Sequence, residues 1–308
     1  MLPPVACYRE FAPCEALRRH ILSFFSFVPN PLNRVDVRRR ILLETVFGEG
    51  ESFSSPLFAD GNVSLVFNFD RACGVDGRWR DGAAMSTVVI GAMSVVGPPR
   101  VSERAEMLGV YFRAGEAGKF LRAPGAVLTD RIVALEDLWG AVGSSLAVEL
   151  AEADELARMD ILERVLLRQL KPEPRRTTTV DVVGLTRWVL AERGQLTVER
   201  MTDAAGVSRQ ALARTFRDAV GVTPKVYCML ARFQAGLAYA GCGSGVDWAH
   251  AAADLGYADQ SHLIAEFRRF SSLTPQSLVS GQWFHPFIER ARGALHGRNV
   301  DTVRRQRP

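Results

Sequence analysis

Four side chains able to bond base edges and phosphates crowd into one short stretch: Arg209, Gln210, Arg214 and Arg217. An arginine fork pairs with O6 and N7 of guanine, and a glutamine amide pairs with N6 and N7 of adenine. Residues three or four apart share a helix face, so 210, 214 and 217 line up. Leu212, Phe216 and Val220 recur at i, i+4 and i+8 and mark an opposite, inward face. A helix of this kind suits the major groove of double-stranded DNA. Basic residues extend beyond it: across 209–232, Arg209, Arg214, Arg217, Lys225 and Arg232 stand against Asp218 alone.

Such a helix must be held up by others. Upstream, Thr197 is placed to cap a helix running to Ala205, with Glu199 and Arg200 wet and Met201, Ala204 and Ala205 dry. Gly206 ends it, Val207 plugs the turn and Ser208 caps the reading helix. The unit then recurs. Leu212 to Phe216 leads to Thr223-Pro224, and 51 residues later Leu263 to Phe267 leads to Thr274-Pro275 at the same separations. In the second copy Trp248, Ala252 and Leu255 are the dry positions, Gly256 turns and Tyr257 plugs. Ser261 or Asp259 caps the second reading helix, and Leu263, Phe267 and Phe270 face inward. Gln260, Ser261, His262, Ile264, Ala265, Arg268 and Arg269 are left outside or partly so.

On these residues, 196–279 resembles the DNA-binding domain of AraC-type regulators. The matching positions are Ala205-Gly206-Val207-Ser208, Leu212, Arg214, Phe216-Arg217, Gly221, Thr223-Pro224, Tyr227 and Arg232 in the first unit. Ala253, Gly256-Tyr257, Ser261, Phe267-Arg268 and Thr274-Pro275 match in the second. The resemblance implies a long helix, about Pro224 to Ala240, that joins two units entering successive major grooves. By position it implies base readers at Gln210, Ala213 and Arg214, and at Ser261, Ile264 and Ala265. Two departures stand out: Ala265 replaces a usual Arg and Ser272 a usual Gly. The second helix is therefore expected to supply phosphate contacts and shape fit more than base readout.

The first half has another character. Val63, Leu65, Phe67 and Phe69 alternate as in a half-buried strand, after a turn at Asp60-Gly61-Asn62. Met85 to Val96 reads as one or two strands broken by Gly97-Pro98-Pro99, Ala105 to Phe112 as another, and Ala117 to Leu121 as a helical turn. The class expected is α+β: an N-terminal β-sandwich or barrel-like sensor domain, a helical connector and an all-α C-terminal domain. Its divisions are 1–143 for the β-rich region, 144–170 for the connector, 171–179 for a linker, 180–285 for the double helix-turn-helix domain and 286–308 for a basic tail. Phe58-Ala-Asp60-Gly61, Leu65-Val66-Phe67, Gly109, Phe112-Arg113, Gly115 and Leu135-x-Asp137-Leu138-Trp139-Gly140 resemble the sensor region of one AraC-type branch. Leu146, Leu150, Leu156, Met159, Leu162, Leu166 and Leu170 fall at helical spacings, and a dimer seam is the favoured reading over an intrachain one.

Composition sets limits. The 308 residues are 47% hydrophobic and 23% charged, with a net charge of +4. Residues 180–285 hold ten basic against nine acidic side chains, so placement matters more than the total. No apolar run reaches the ~18 residues of a membrane span, and a cytoplasmic location is expected. Cys7, Cys14, Cys73, Cys228 and Cys242 follow no zinc or disulfide spacing. The histidines are scattered, and neither a phosphate loop nor a nucleophile elbow is present. The reading is a non-enzymatic transcription regulator with no cofactor or metal. It is expected to bind double-stranded DNA, a small-molecule effector in the N-terminal domain and, as an activator, RNA polymerase, and to act as a homodimer. Rivals are fusion to an enzyme such as a DNA-repair methyltransferase, or an N-domain that binds a protein partner. Region 180–308 contains both units and is expected to bind DNA by itself.

Overall fold

The computed structural model describes residues 6–29, 55–69, 86–101, 106–171, 180–241 and 245–280. Linker residues 172–179 and tail residues 286–308 lie outside the described residues. The first half forms an antiparallel six-stranded sheet in the order β1-β2-β7-β4-β5-β8 and a two-stranded sheet of β3 and β6. The strands are β1 Ala6–Phe11, β2 Ile21–Pro29, β3 Ser55–Leu57, β4 Ser64–Asn68, β5 Ser86–Ile90, β6 Gly97–Val101, β7 Met107–Phe112 and β8 Ile132–Ala134. Helices follow: α1 Gly118–Leu121, α2 Gly125–Leu128, α3 Leu135–Trp139, α4 Ala141–Glu152 and α5 Glu155–Gln169. The second half is helical: α6 Val182–Ala191, α7 Val198–Ala205, α8 Arg209–Val220, α9 Pro224–Gly241, α10 Trp248–Asp254, α11 Gln260–Ser271 and α12 Pro275–Ser280. The α+β architecture expected from sequence is the one observed.

Alternation along the strands sends side chains to two different cores. Phe24, Leu65, Phe67, Val89, Leu108, Val110 and Phe112 share one cluster with Leu146, Leu150, Met159, Leu162 and Leu166 of α4 and α5. Their sequence neighbours Phe25, Val66, Ile90 and Met107 belong to a second cluster that runs on into Val182, Leu212, Phe216, Tyr227, Leu230 and Phe233. All of β4 is therefore buried, where a half-buried strand was expected. Val66, between the alternating positions, packs into the cluster that the helices of the second half extend.

Two other expectations change. Leu162 and Leu166 have no exposed surface, and with Leu146, Leu150 and Met159 they serve the intrachain core rather than a dimer seam. Gly97-Pro98-Pro99 lies in β6 rather than breaking a strand, and β6 pairs with β3, a two-stranded context in which missing N–H groups are tolerated. Residues of the helical region and one face of the sheet form a single continuous cluster, so the sheet covers part of the helical core.

Candidate nucleic-acid interface

Each helix-turn-helix is set by its caps. The Thr197 hydroxyl accepts from Arg200 N–H and starts α7. Gly206 ends it at φ +61°, a left-handed conformation open to glycine at little cost. The Ser208 hydroxyl accepts from Ala211 N–H at 3.2 Å and starts α8. Met201 is buried as expected, but Ala204 is exposed, so the dry face of α7 is narrower than its composition implied. In the second unit Asp259, not Ser261, caps α11, accepting from His262 N–H at 2.7 Å. Ser272 ends that helix at φ +62°, which accounts for the glycine usual there.

The inward stripes are complete: Leu212, Phe216 and Val220 on α8 and Leu263, Phe267 and Phe270 on α11 are buried. This leaves Arg209, Gln210, Arg214 and Arg217 exposed on α8, with Ala213 half-buried between them. Lys225 is exposed at the start of α9. On α11, Gln260, Ser261, His262, Ala265, Arg268 and Arg269 are exposed and Ile264 is half-buried against the core. Arg209 is engaged by the Glu199 carboxylate on α7, and that ion pair holds Glu199 below the ordinary carboxylate range together with a backbone hydrogen bond, the larger cause. Asp218 forms no ion pair with Arg214 or Arg217 among the described residues.

The two units are braced to each other. Asp254, at the end of α10, accepts from Arg193 Nη1 at 2.8 Å and from the Tyr239 hydroxyl of α9. Its backbone carbonyl accepts from Gln195 Nε2 at 2.9 Å. The Tyr239 hydrogen bond, ahead of the Arg193 charge, lowers the Asp254 pKa.

Behind α11 lies a buried polar knot that the sequence reading passed over. The Tyr257 hydroxyl donates to Glu266 Oε1 at 2.7 Å, and Arg232 Nε of α9 stands 3.7 Å from the same oxygen. The Arg232 guanidinium also lies 4.9 Å from the Tyr257 ring centroid. Glu266 is 3% exposed, and its Oε2 has no hydrogen-bond partner among the described residues. Burial raises its pKa despite Tyr257 and Arg232, and burial likewise raises that of Tyr257. Glu266 sits three residues after Leu263, on the inward side, and that spacing was the available signal.

Among the described residues no group of three or more His, Cys, Asp or Glu could hold a metal, and no helix is long and apolar enough to cross a membrane. Cys228 is buried and its thiol is pushed up to about 11, so it is not a ready thiolate.

A family model described as a helix-turn-helix domain matches residues 201–280. A second, described as a domain of unknown function (DUF6597), matches residues 9–134. No curated protein matches the sequence. Among solved structures, an apo variant of ToxT from Vibrio cholerae aligns at 12% identity over 74% of this chain and 92% of that one, with a TM-score of 0.39. ToxT carrying an unsaturated fatty acid aligns at 13% identity over 75% and 92%, with a TM-score of 0.37. ToxT bound to a methylnaphthalenyl butenoic acid aligns at 12% identity over 75% and 95%, with a TM-score of 0.39. The duplicated caps, stripes and joining helix, together with the family match over 201–280, make the C-terminal region a helix-turn-helix domain.

Proposed function

We propose that the protein is a sequence-specific transcription regulator that reads successive major grooves of double-stranded DNA with α8 and α11. The observation that carries this reading is the pair of capped reading helices on one joining helix, each with its polar face turned outward. Gln210 and Arg214 are the proposed base readers of the first unit, with Ala213 between them. Arg209, Arg217 and Lys225 neutralise phosphates. In the second unit Ser261, Ile264 and Ala265 meet the bases with little hydrogen-bonding capacity, while Gln260, His262, Arg268 and Arg269 meet the backbone. The sheet domain is the regulatory part, because its inner face shares a core with the reading domain. A small-molecule effector that repacks this face would reach both units.

The test is selection of duplexes from a random library by the full-length protein, followed by affinity measured across salt. A preferred two-element site is expected, with affinity falling steeply as salt rises, because neutralised phosphates release counterions. A folded protein that enriches no sequence, or binds without salt dependence, would refute the reading.

A further inference from the structure

The sheet domain holds the far end of each reading helix. Gly221 closes α8 at φ +104°, and its carbonyl accepts from the Thr129 hydroxyl at 2.6 Å, just after α2. The approach there is close: a Cβ added to Gly125 would lie 2.6 Å from Gly221 N and 2.8 Å from Ala219 O. At the other end, Ala59 N–H donates to Phe270 O in the last turn of α11 at 3.0 Å. The Asp60 carbonyl accepts from Gln234 of α9. Phe58 meets Phe233 edge to face at a centroid distance of 6.4 Å, and Phe233 in turn meets Phe267 and Phe270 at 5.0 and 5.5 Å. Gly61, at φ +70°, turns the loop so closely over α9 that an added Cβ would stand 3.0 Å from Leu230 Cδ1.

These holds fall at the C-terminal ends of α8 and α11 and on α9 at Leu230, Phe233 and Gln234. The outward positions 209, 210, 214, 261 and 265 remain exposed, so the holds do not cover the reading faces. Resting on the DNA-binding reading above, we infer that the Phe58–Gly61 loop and the Gly125–Thr129 segment are positioning elements that set the spacing of the two reading helices. They restrict the protein to sites whose two elements are separated by one length of duplex. One inserted base pair moves the second element by about 3.4 Å and turns it by about a tenth of a turn. A pair of units joined only by α9 and by the Asp254 contacts with Arg193, Gln195 and Tyr239 could follow that shift by bending. A pair held at both far ends cannot do so without losing contacts.

The experiment compares affinity for the selected site with affinity for the same site carrying one inserted base pair between its elements. Full-length protein is used, wild type and the double variant Gly61→Ala with Gly125→Ala, which wedges both holds and alters no DNA-facing residue. Wild type should prefer the uninterrupted site by about tenfold or more, a factor equivalent to about 1.4 kcal/mol. The double variant should reduce that preference to within about threefold, which is under half of that free energy. A loss of folded protein lowers both affinities together and leaves their ratio alone, so the ratio separates positioning from stability. Thr129→Val with Gln234→Leu removes two holding bonds without a wedge, and should reduce the ratio if the wedged variant does not fold. An unchanged ratio in a folded variant overturns the inference, as does a wild-type protein indifferent to the insertion. Failure of the wild type to select any site refutes the DNA-binding reading instead.

Discussion

The two reading helices are built on one plan and finished differently. α8 backs onto an apolar core, where Phe216 meets Tyr227 edge to face at 5.6 Å. It turns Arg209, Gln210, Arg214 and Arg217 outward. α11 backs onto the same kind of aromatic core but carries Glu266 inside it, and its arginines, 268 and 269, lie in its last turn. The first unit thus spends its polar groups on the outside, and the second keeps a carboxylate, a phenol and a guanidinium within. A duplicated module can in this way divide its polar groups: one copy turns arginines and a glutamine outward, the other keeps a carboxylate and a phenol inside.

That comparison can be broken most forcefully at the cores. Phe216→Ala and Phe267→Ala should each lower stability by about 3–5 kcal/mol, measured by urea unfolding. Because one cluster unites both units with the sheet, each loss should appear in a single transition rather than in one unit alone. Separate transitions would show that the units are independent.

Arg232→Met tests the knot behind α11. Removing the cation leaves Glu266 buried with only the Tyr257 hydroxyl, and such a break costs about 3–5 kcal/mol at neutral pH when a pair is fully buried. Arg232 keeps 18% of its side chain exposed, so the lower end is expected. The sign with pH follows from Glu266, whose folded pKa is raised above 4.5. Its contribution to stability is complete below pH 4.5 and is lost as pH rises through the folded value. Arg232→Met should therefore narrow its deficit in acid, read from melts near pH 5 and pH 7.5. Glu266→Gln should flatten the same profile, because no carboxyl remains there to titrate. A deficit independent of pH would show that Glu266 is not the source.

Arg214→Ala should cost about 1–3 kcal/mol on the selected site and relax preference at one or two base positions. Arg217→Ala should weaken all sequences more evenly and lower the salt slope by about one unit. A panel of single-base site variants at several salt concentrations distinguishes them. Equal loss on every variant would remove Arg214 from the base readers. The smallest effect belongs to Ala265→Ser, expected to change affinity by well under 1 kcal/mol, as is usual for an exposed position away from structural features. A large change there would mean that α11 reads bases after all.

The helical half was legible because its signals are local. Thr197, Gly206, Ser208 and Gly256 act within a few residues of themselves, and Leu212 and Phe216 repeat at 51 residues as Leu263 and Phe267. The sheet was less so. β1 and β2 escaped the sequence reading, although the aromatic run Phe24-Phe25 lies in β2 and its two rings serve two different cores. The cover over Val66 was not legible, because alternation reports which residues share a side, not what covers that side. The leucines at 162 and 166 show the same limit, since a helical stripe requires an apolar partner without saying whose. Glu266 was overlooked because a charge beside Phe267 reads as surface until Tyr257, across the turn, and Arg232, on another helix, are seen to close over it. The outward placement of Gln210, Arg214 and the polar residues of α11 was legible from the inward stripes that leave those positions exposed.

The doubly covered β4 bears on how the chain is made. Synthesis delivers the strands and α4–α5 first, so Leu65 and Phe67 find their cover while the polypeptide is still growing. Val66, Phe25, Ile90 and Met107 have to wait for α6 to α12, which emerge last. At roughly 5–20 residues per second, a bare apolar sheet face persists for many seconds on each ribosome. The nascent chain is then a natural client for holding chaperones, and a transcript cut short after α5 should yield insoluble protein rather than a free sensor.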